Sequence, residues 1–392
     1  MKNIFVFVVC GAKEHIDTLH FSLGYLQKYS QKEIWVLTDA KRNEIPIQHD
    51  HVIDIETPKD FDHHQASIYL KTGIHKFLPK GHRYCYLDTD VIALDEKVDL
   101  IFKEYQAPIT FAPDHCKMDQ FSAFAVNCEC IDLYDGYFNR MENELLQIDP
   151  LRQSTKPSIV SHRKKLVAFY TQHHSLFQKI KVGLRYMFSF KKFHISNDLY
   201  FDKKDKTWKD IEGEVFMHHF RWSKVSRACQ LKWNFWKRYP ELPDGRSLWT
   251  MTCDHLQQNI QEKFDIRVET NQFQHWNGGV FLFDDDSHDF LNRWFDKTML
   301  IFQDPKWKTR DQGTLIATVW ELGLQDHPML GKQWNLIADY NNPFLQWESE
   351  DAIRIATSEL IKPQLLHVYH HFGDNSWPFW KELMNRLNCA SK

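Results

Sequence analysis

Two aspartates separated by one residue directly follow an apolar run of the chain. Asp88 and Asp90 flank Thr89, and the run at 84–87 has the composition of a buried strand. Carboxylates with this spacing, where a chain leaves a strand, can both turn toward one divalent cation, and oxygen ligands suit Mn²⁺ or Mg²⁺. The alternative is a pair of turn-capping aspartates. We interpret this segment as a metal site that would also hold a diphosphate.

The elements around this segment predict that it lies at the edge of a sheet. Strands are predicted at 4–9, 33–38 and 84–87, with helices at 15–28 and 63–77. Alternating strands and helices are typical of a doubly wound sheet, which binds ligands at the carboxyl ends of its strands. Gly11, Asp39 and Asp88 all come at such ends.

Charge is unevenly distributed along the 392 residues. The whole chain has a net charge of −3, which does not favour nucleic-acid binding, yet 150–197 contains ten Lys or Arg and no Asp or Glu. The alternation of strands and helices stops in the same region and resumes with an apolar strand at 280–283. We therefore expect an α/β domain in two halves around a mostly helical, basic insertion, with bounds 1–150, 151–255 and 256–392.

The eight cysteines do not form a recognisable metal-binding or disulfide pattern. No Cys-x-x-Cys pair occurs, and Cys128 and Cys130 are closer together than the usual zinc spacing. A chain of this size does not need a disulfide framework, so we expect reduced thiols and a cytoplasmic location. The apolar run Ile4–Cys10 is too short to span a membrane, and we interpret it as the first strand.

Five segments resemble those of GT-A glycosyltransferases, in particular the family-8-like members that use nucleotide sugars. They occur in the family's order: YCYLDTDVIALD at 84–95, HWNGGVFLFD at 275–284, DQGTL at 311–315, WN at 334–335 and HHFGDNSWPFW at 370–380. The resemblance covers both ends of the chain and leaves out the middle hundred residues. It implies a Rossmann-like mixed sheet flanked by helices, and a metal-dependent hexosyltransferase of the kind used in polysaccharide biosynthesis.

The resemblance also implies roles for individual residues. Asp311 and Gln312 would be the catalytic residues that position the donor sugar, although Asp311 could also be only a helix cap. The donor, which we expect to be a UDP-sugar, would contact Val9, Cys10, Gly11, Asp39, Lys71, Asp88, Thr89, Asp90, Asn277, Gly278, Gly279 and Gly373. Glycines allow a sugar or diphosphate to approach the backbone, and Asp39 could instead only terminate its strand. The transfer would retain the anomeric configuration.

A histidine near the C-terminus should complete the metal site. We expect His370, because Gly373 follows it with the family's spacing, and His367 at the end of an apolar run is the alternative. The lysine with which the family grips the diphosphate has no counterpart in the segment at 370–380. Lys71 and Lys332 are the candidates to replace it.

The basic insertion has two interpretations. In 177–194, basic residues alternate with large apolar ones, as in a helix that lies on an anionic membrane surface. Such a helix could instead pack on the protein core with its charged face in solvent. The first interpretation predicts a glycan or lipid-linked acceptor and a peripheral position on the inner face of the membrane.

Two other functions stay open from the sequence. In a phosphatase of the haloacid dehalogenase type, Asp88 would be the nucleophile and 284–286 would bind Mg²⁺. In a catalytically degenerate sugar-binding module, the missing lysine would reflect lost turnover.

Overall fold

The chain forms two compact units in a computed structural model, which describes residues 1–172, 175–342, 344–356 and 359–389. The first unit comprises Met1–Cys128 and Cys253–Lys392, and the second unit is the inserted segment Glu129–Thr252. The insertion therefore begins earlier than the predicted residue 151. The reason is the helix Cys130–Ile148, whose buried residues Tyr134, Met141 and Leu145 belong to a hydrophobic cluster of the second unit. Its sequence shows an apolar face but not the core that this face joins.

The described residues form helices and strands in the following chain order. The helices are α1 (Lys13–Tyr29), α2 (His63–Thr72), α3 (Met118–Ala125), α4 (Cys130–Ile148), α5 (Pro157–Gln172), α6 (Leu176–Phe188), α7 (Trp222–Ala228), α8 (His255–Phe264), α9 (His288–Ile301), α10 (Arg310–Glu321) and α11 (Pro378–Cys389). The strands are β1 (Asn3–Val8), β2 (Glu33–Thr38), β3 (Val52–Asp54), β4 (Arg83–Leu87), β5 (Val91–Ala93), β6 (Thr110–Pro113), β7 (Lys192–His194), β8 (Leu199–Asp202), β9 (Thr207–Asp210), β10 (Val215–His218), β11 (Lys232–Asn234), β12 (Tyr239–Glu241), β13 (Trp276–Phe283), β14 (Leu336–Ile337), β15 (Gln346–Trp347), β16 (Ile353–Ala356), β17 (Glu359–Ile361) and β18 (Leu365–His367).

A six-stranded mixed sheet is the centre of the first unit. Its order is β3-β2-β1-β4-β13-β6, with β3, β2, β1 and β4 parallel and β13 antiparallel to both of its neighbours. Successive residues of β1 point to opposite faces, so Ile4 and Val6 join one hydrophobic cluster while Phe5 and Phe7 join another. The first cluster includes residues of α2, α9 and α10, and the second includes residues of α1. The predicted mixed sheet flanked by helices is confirmed.

The strand after β4 leaves this sheet for a smaller one. The chain turns at 88–90, and β5 then pairs antiparallel with β18, which also pairs parallel with β14. Three backbone hydrogen bonds fix the turn: Asp88 N–H to Gly279 O (2.8 Å), Val91 N–H to Asp88 O (3.1 Å) and Val368 N–H to Asp90 O (3.0 Å). The two aspartates are therefore held between the end of β4 and the end of β18.

The second unit contains more strand than the sequence predicted. Strands β7 to β10 form an antiparallel sheet in the order β10-β9-β8-β7, and β11 pairs with β12 as a hairpin. Each of these strands has only three or four residues, which is too short for the alternation that identifies a strand in sequence. The insertion, expected to be mostly helical, combines the helices α4–α7 with two small sheets of short strands. Across the described part of the chain, no helix combines the length and apolar character needed to cross a membrane.

Candidate functional site

The carboxyl end of β4 carries a group of three possible metal ligands. Asp88 and Asp90 come from the turn after β4, and His367 is the last residue of β18. One ligand atom from each residue lies within 4.8 Å of the others, and His367 Nε2 is 3.3 Å from Asp90 Oδ1. Two carboxylate oxygens and one imidazole nitrogen form a donor set that suits Mn²⁺ or Mg²⁺.

The histidine in this group is His367, the alternative from the sequence, and not His370. Its side chain is 5% exposed, whereas His370 is exposed in the turn after β18 and packs beside the ring of Tyr369 at a centroid distance of 4.2 Å. The physical reason is that β18 ends at His367, opposite Val91 of β5. By His370 the chain has already left the sheet. The geometric group therefore contains the alternative histidine from the sequence and not the one chosen from the spacing to Gly373.

The ring of His367 is oriented by an asparagine. His367 Nδ1 lies 3.0 Å from Asn335 Oδ1, an oxygen that can only accept, so Nδ1 carries the proton and Nε2 faces Asp90. Burial alone would lower the pKa of His367, but the charge of Asp90 outweighs it and raises this pKa. Burial would likewise raise the pKa of Asp90, and His367 lowers it instead. The orientation leaves Nε2 as the imidazole atom that can bind a cation.

The asparagine is itself part of a fixed network. Asn335 Nδ2 donates to Asn277 Oδ1 (3.0 Å), and this oxygen also accepts from the backbone N–H of Gly279 (2.9 Å). Asn277 Nδ2 donates to Asp114 Oδ2 at 2.9 Å. The pairing of β13 with β6 shifts register after Asn277, which is where this strand supplies polar contacts instead of a regular ladder. The Asn-Gly-Gly segment therefore builds the support of His367.

The two glycines leave space for protein side chains. A Cβ atom on Gly279 would lie 2.5 Å from His367 Cε1 and 2.9 Å from Asp88 Oδ2. A Cβ atom on Gly278 would lie 2.9 Å from Gln312 Oε1 and 3.4 Å from Lys71 Nζ. Neither position has room for a side chain, because candidate site residues already occupy it.

Lys71 is the positive charge of this group. It projects from the last turn of α2, and its Nζ lies 3.3 Å from Asp88 Oδ1 and 3.1 Å from Asp311 Oδ2. Burial alone would lower the pKa of Lys71, but the two carboxylates outweigh it and raise the pKa well above its usual value. Tyr86 donates to Asp88 Oδ1 at 2.5 Å. Lys332, the other candidate, is exposed and pairs with Glu359.

The two residues predicted to be catalytic lie in the same group. Asp311 is in the first turn of α10, whose N-cap position is Thr309, so Asp311 does not cap that helix. Burial raises the pKa of Asp311, but Lys71 lowers it further than burial raises it. Gln312 donates through Nε2 to Trp276 O (2.6 Å) and accepts through Oε1 from Gly278 N–H (3.2 Å). Gln312 therefore bridges α10 and the start of β13, whereas the carboxylate of Asp311 faces Lys71 of α2.

The carboxylate of Asp39 is engaged by protein partners at the end of β2. Its side chain accepts from Thr57 N–H (2.9 Å), from the Thr57 hydroxyl (2.7 Å) and from Arg42 Nε (3.3 Å). It also caps the short 3₁₀ helix at 40–42 through the N–H of Lys41. Burial raises the pKa of Asp39, while these hydrogen bonds lower it overall. The contacts match the alternative in which Asp39 terminates its strand.

The end of β1 is shaped mainly by its backbone. Gly11 has φ +107°, and a Cβ atom there would lie 2.8 Å from His63, so this turn requires glycine. Val9 N–H donates to Leu37 O at 3.1 Å. Burial raises the pKa of the Cys10 thiol to about 11, so it is protonated at neutral pH.

Two further sequence candidates lie in turns. Thr89 is half-buried between the two aspartates of the turn after β4. Gly373 has φ +79° in an exposed turn after β18, and a Cβ atom there would meet open space. The conformation of the turn thus accounts for this glycine, which has no close neighbour in the metal-ligating group.

Sequence reasoning missed a second polar cluster beside Asn277. Asp114 follows β6 directly, and its Oδ1 lies 3.0 Å from His115 Nδ1 and 3.5 Å from His275 Nε2. Cys116 Sγ lies 3.6 Å from the same His275 atom. Burial raises the pKa of Asp114, but the two histidines and Asn277 hold it well below its usual range. The available signal was an acid at a strand end, the same signal that identified Asp88.

The acidic run at 284–286 lies at the other end of the sheet. In the antiparallel pair of β13 and β4, Val280 is opposite Leu87 and Phe283 is opposite Tyr84, so the two strands carry Asp284 and Asp88 at opposite ends. Asp284 pairs with Arg83 at 3.0 Å and accepts from Tyr105 at 2.6 Å. A phosphatase that uses both acidic groups in one site does not fit this arrangement.

Comparison with known proteins gave matches among solved structures only. Neither the protein-family models nor the curated protein sequences contain a match. The galactosyltransferase LgtC, solved with donor and acceptor sugar analogues, has a TM-score of 0.41 and 8% identity, covering 98% of this chain and 95% of that chain. The bifunctional glycosyltransferase WbbM has a TM-score of 0.42 and 9% identity, covering 98% of this chain and 51% of its own length. Mouse xyloside xylosyltransferase 1 has a TM-score of 0.37 and 10% identity, covering 95% and 99%. All three are glycosyltransferases by name.

Proposed function

We propose that this chain is a metal-dependent glycosyltransferase that takes a hexosyl group from a nucleotide-diphosphate donor, expected to be a UDP-sugar. The supporting observation is the group formed by Asp88, Asp90 and His367 at the carboxyl end of β4. Lys71, whose Nζ is 3.1 Å from Asp311, brings the predicted sugar-binding acid to the same group. Ligands of open α/β sheets bind at this end of the strands.

The donor set fits Mn²⁺ or Mg²⁺. His367 is buried and already oriented through Nδ1 by Asn335, so only Nε2 remains for a cation. When bound, the cation supplies neutralisation of the charge that develops on the diphosphate leaving group. The residues Asp88, Asp90 and His367 would hold it.

Lys71, Asp311 and Gln312 have separate roles toward the donor in this proposal. Lys71 takes the place of the missing family lysine and lies close enough to the aspartate turn to attract a diphosphate. Asp311 stays ionised beside Lys71 and would accept hydrogen bonds from sugar hydroxyl groups. Gln312 is fixed against the backbone of β13 and would lie beside the reacting carbon. We assign no separate base, because in a retaining transfer a leaving phosphate oxygen can take the proton of the acceptor hydroxyl on the same face.

Replacement of the two aspartates tests this proposal. Asp88→Asn and Asp90→Asn should each reduce Mn²⁺-dependent UDP binding by at least about 100-fold, because each removes a charged ligand. Titration calorimetry measures the binding, and circular dichroism checks the fold. Asp60→Asn, which removes one exposed carboxylate, is the matched control. Full affinity and turnover in both site variants would rule out the metal assignment.

The same calorimetry separates the transferase from a degenerate sugar-binding module. Both bind a nucleotide sugar with Mn²⁺, but only the transferase releases the nucleotide when donor and acceptor are present. Nucleotide-sugar binding without any hydrolysis or transfer, over a panel of donors and glycan acceptors, would favour the module.

The acceptor side of the proposal rests on the surface of α6. None of its residues is buried, and its large apolar side chains include Phe177 (78% exposed) and Phe188 (81% exposed), followed by Phe190 (90% exposed). Val182 and Tyr186 of the same helix pack on a hydrophobic cluster of the second unit, as the alternative from the sequence expects, while the phenylalanines remain in solvent. Basic neighbours on the same segment include Arg185, and we propose that this surface contacts an anionic membrane that presents a lipid-linked or glycan acceptor.

Sedimentation with vesicles tests the membrane contact. Each basic residue near an anionic bilayer contributes about 1 kcal/mol, so neutralising Arg185, Lys191 and Lys192 should weaken binding to phosphatidylserine vesicles by roughly 100-fold at low salt. Donor hydrolysis should be unchanged. The control neutralises three exposed lysines elsewhere in the second unit, Lys204, Lys232 and Lys237. If the wild-type protein does not bind anionic vesicles at low salt, the membrane contact is refuted.

A further inference from the structure

A second group of metal-ligating side chains lies outside the site described above. It contains the thiols of Cys128 and Cys253 and the imidazole of His255, all from the first unit. One ligand atom from each residue lies within 4.8 Å of the others. Cys253 is buried, and the other two are half-buried. This set is rich in sulfur, unlike the oxygen-rich set at the end of β4.

Direct contacts fix the chain around Cys253 and His255. Cys253 N–H donates to Asp119 O at 2.9 Å, and Cys253 Sγ lies 3.0 Å from the hydroxyl of Ser122 on α3. The same hydroxyl oxygen accepts from Leu256 N–H at 2.9 Å. His255 is the first residue of α8, so both ligands of the Cys-x-His pair are positioned by the packing of α3 against α8.

Backbone contacts also fix the chain just before Cys128, the third proposed ligand. Val126 forms a bridge with Trp307, and Asn127 N–H donates to Lys306 O at 2.9 Å. Cys128 then packs against the main hydrophobic cluster of the first unit. The two segments therefore meet through contacts that do not depend on a bound ion.

We propose that Cys128, Cys253 and His255 of the first unit bind a structural Zn²⁺. Thiolate and imidazole ligands select Zn²⁺ over Mn²⁺ and Mg²⁺, and structural zinc sites use three cysteines and one histidine among other sets. The Cys-x-Cys spacing looked too short for zinc in the sequence alone. In the folded chain, Cys128 is instead joined by the Cys-x-His pair at 253–255, which comes from a distant part of the chain.

A zinc ion at this position would close a long loop of the chain. Cys128 is the last residue of the first unit before the insertion, and Cys253 is the first residue after it. Linking the two ends restricts the unfolded chain, and the binding free energy adds to folding free energy. In the bound form the hydroxyl of Ser122 can donate to the Cys253 thiolate while it still accepts from Leu256, which is the usual support for a zinc ligand.

Metal analysis of the purified full-length protein is the primary test. Protein prepared without chelator, and washed with Mg²⁺, should contain about one zinc per chain by plasma mass spectrometry. After replacement with Co²⁺, the absorption spectrum should show thiolate-to-cobalt charge transfer and tetrahedral d–d bands. A zinc content below about 0.2 per chain would overturn the proposal. So would a disulfide between Cys128 and Cys253 in peptide maps made without reductant.

Variants assign the ligands. Cys253→Ser and His255→Ala should each reduce the zinc content at least about fivefold and remove the effect of chelator on the melting temperature. His255→Cys should retain zinc, which separates lost ligation from a failure to fold. Cys229→Ser, which alters a buried cysteine of the second unit, is the matched control and should keep its zinc. Unchanged zinc in both ligand variants would refute the assignment. The glycosyltransferase proposal is tested separately, because zinc content does not depend on the aspartates of the turn after β4.

Discussion

Gly279→Ala adds a single methyl group at the most crowded glycine of the candidate site. The new Cβ atom would lie 2.5 Å from His367 Cε1, whereas carbon atoms in contact are normally about 3.5–4.0 Å apart. It would also lie 2.9 Å from Asp88 Oδ2. His367 is 5% exposed and is held by Asn335, so the ring cannot move away without losing a contact. The variant therefore perturbs two of the three proposed metal ligands together.

Two consequences of the clash can be measured. If His367 stays in place, strain in a close-packed region should lower the free energy of unfolding by about 1–3 kcal/mol. If the ring moves away instead, the donor set is broken and the Mn²⁺ affinity should fall about 10–100-fold, as it does when the support of a ligand is lost. We expect mainly the second result, because the ring can relieve a 2.5 Å carbon–carbon contact by giving up its hydrogen bond to Asn335.

Urea unfolding and Mn²⁺ titration calorimetry, each on the wild type and the variant, separate these consequences. Gly24→Ala is the matched control, since Gly24 is inside α1 and its Cβ atom would meet open space. This control should raise the free energy of unfolding by about 0.5–1 kcal/mol and leave Mn²⁺ affinity unchanged. A Gly279→Ala variant with both wild-type stability and wild-type Mn²⁺ affinity would refute the packing argument and the metal assignment based on it.

Two more predictions concern histidines. His367→Ala should lower Mn²⁺-dependent nucleotide affinity about 10–100-fold, while His370→Ala should stay within about twofold, and equal losses in calorimetry would contradict the assignment. His75 is buried, its Nε2 lies 2.8 Å from Asn292 Oδ1, and its Nδ1 has no hydrogen-bond partner among the described residues. Burial lowers the pKa of His75 to about 4, so below about pH 6.5 only the unfolded chain takes up the proton. Stability that is complete above that pH should be lost as pH falls toward 4, by about 2 kcal/mol at pH 5. Urea unfolding at pH 7 and pH 5 should show this loss in the wild type, and an equal loss in His75→Gln would contradict it.

The central sheet was predictable because its strands are apolar on both faces. The runs at 4–9, 33–38 and 84–87 correspond to β1, β2 and β4 within one residue, and the intervening helices follow from their spacing. Asp88 and Asp90 could be identified on the same basis, since an acid after a buried strand must lie at the sheet edge. Pairing direction was not accessible, because nothing in 280–283 distinguishes a parallel strand from the antiparallel β13.

Residues supplied by helices and turns were less predictable. Lys71 was one of two lysine candidates, and only the packing of α2 shows that it faces the aspartates while Lys332 faces solvent. The choice between His367 and His370 depended on where β18 ends. The spacing to Gly373 in the sequence does not show the end of a strand. The sequence did not indicate that Cys253 and His255 lie close to Cys128, because their position depends on the packing of α8 against α3.

The position of Lys71 changes how the site balances its charges. Lys71, with 12% of its side chain exposed, lies between the partly buried carboxylates of Asp88 and Asp311, and its removal would leave two negative charges without the partner that they share. The positive charge is therefore engaged by protein carboxylates as well as being a candidate contact for the diphosphate. In the family that the chain resembles, the corresponding charge belongs to the C-terminal segment, which here has an exposed turn instead. It follows that charge compensation at this site depends on the packing of α2 against the sheet, and that changes in 370–376 should affect it less than changes in α2.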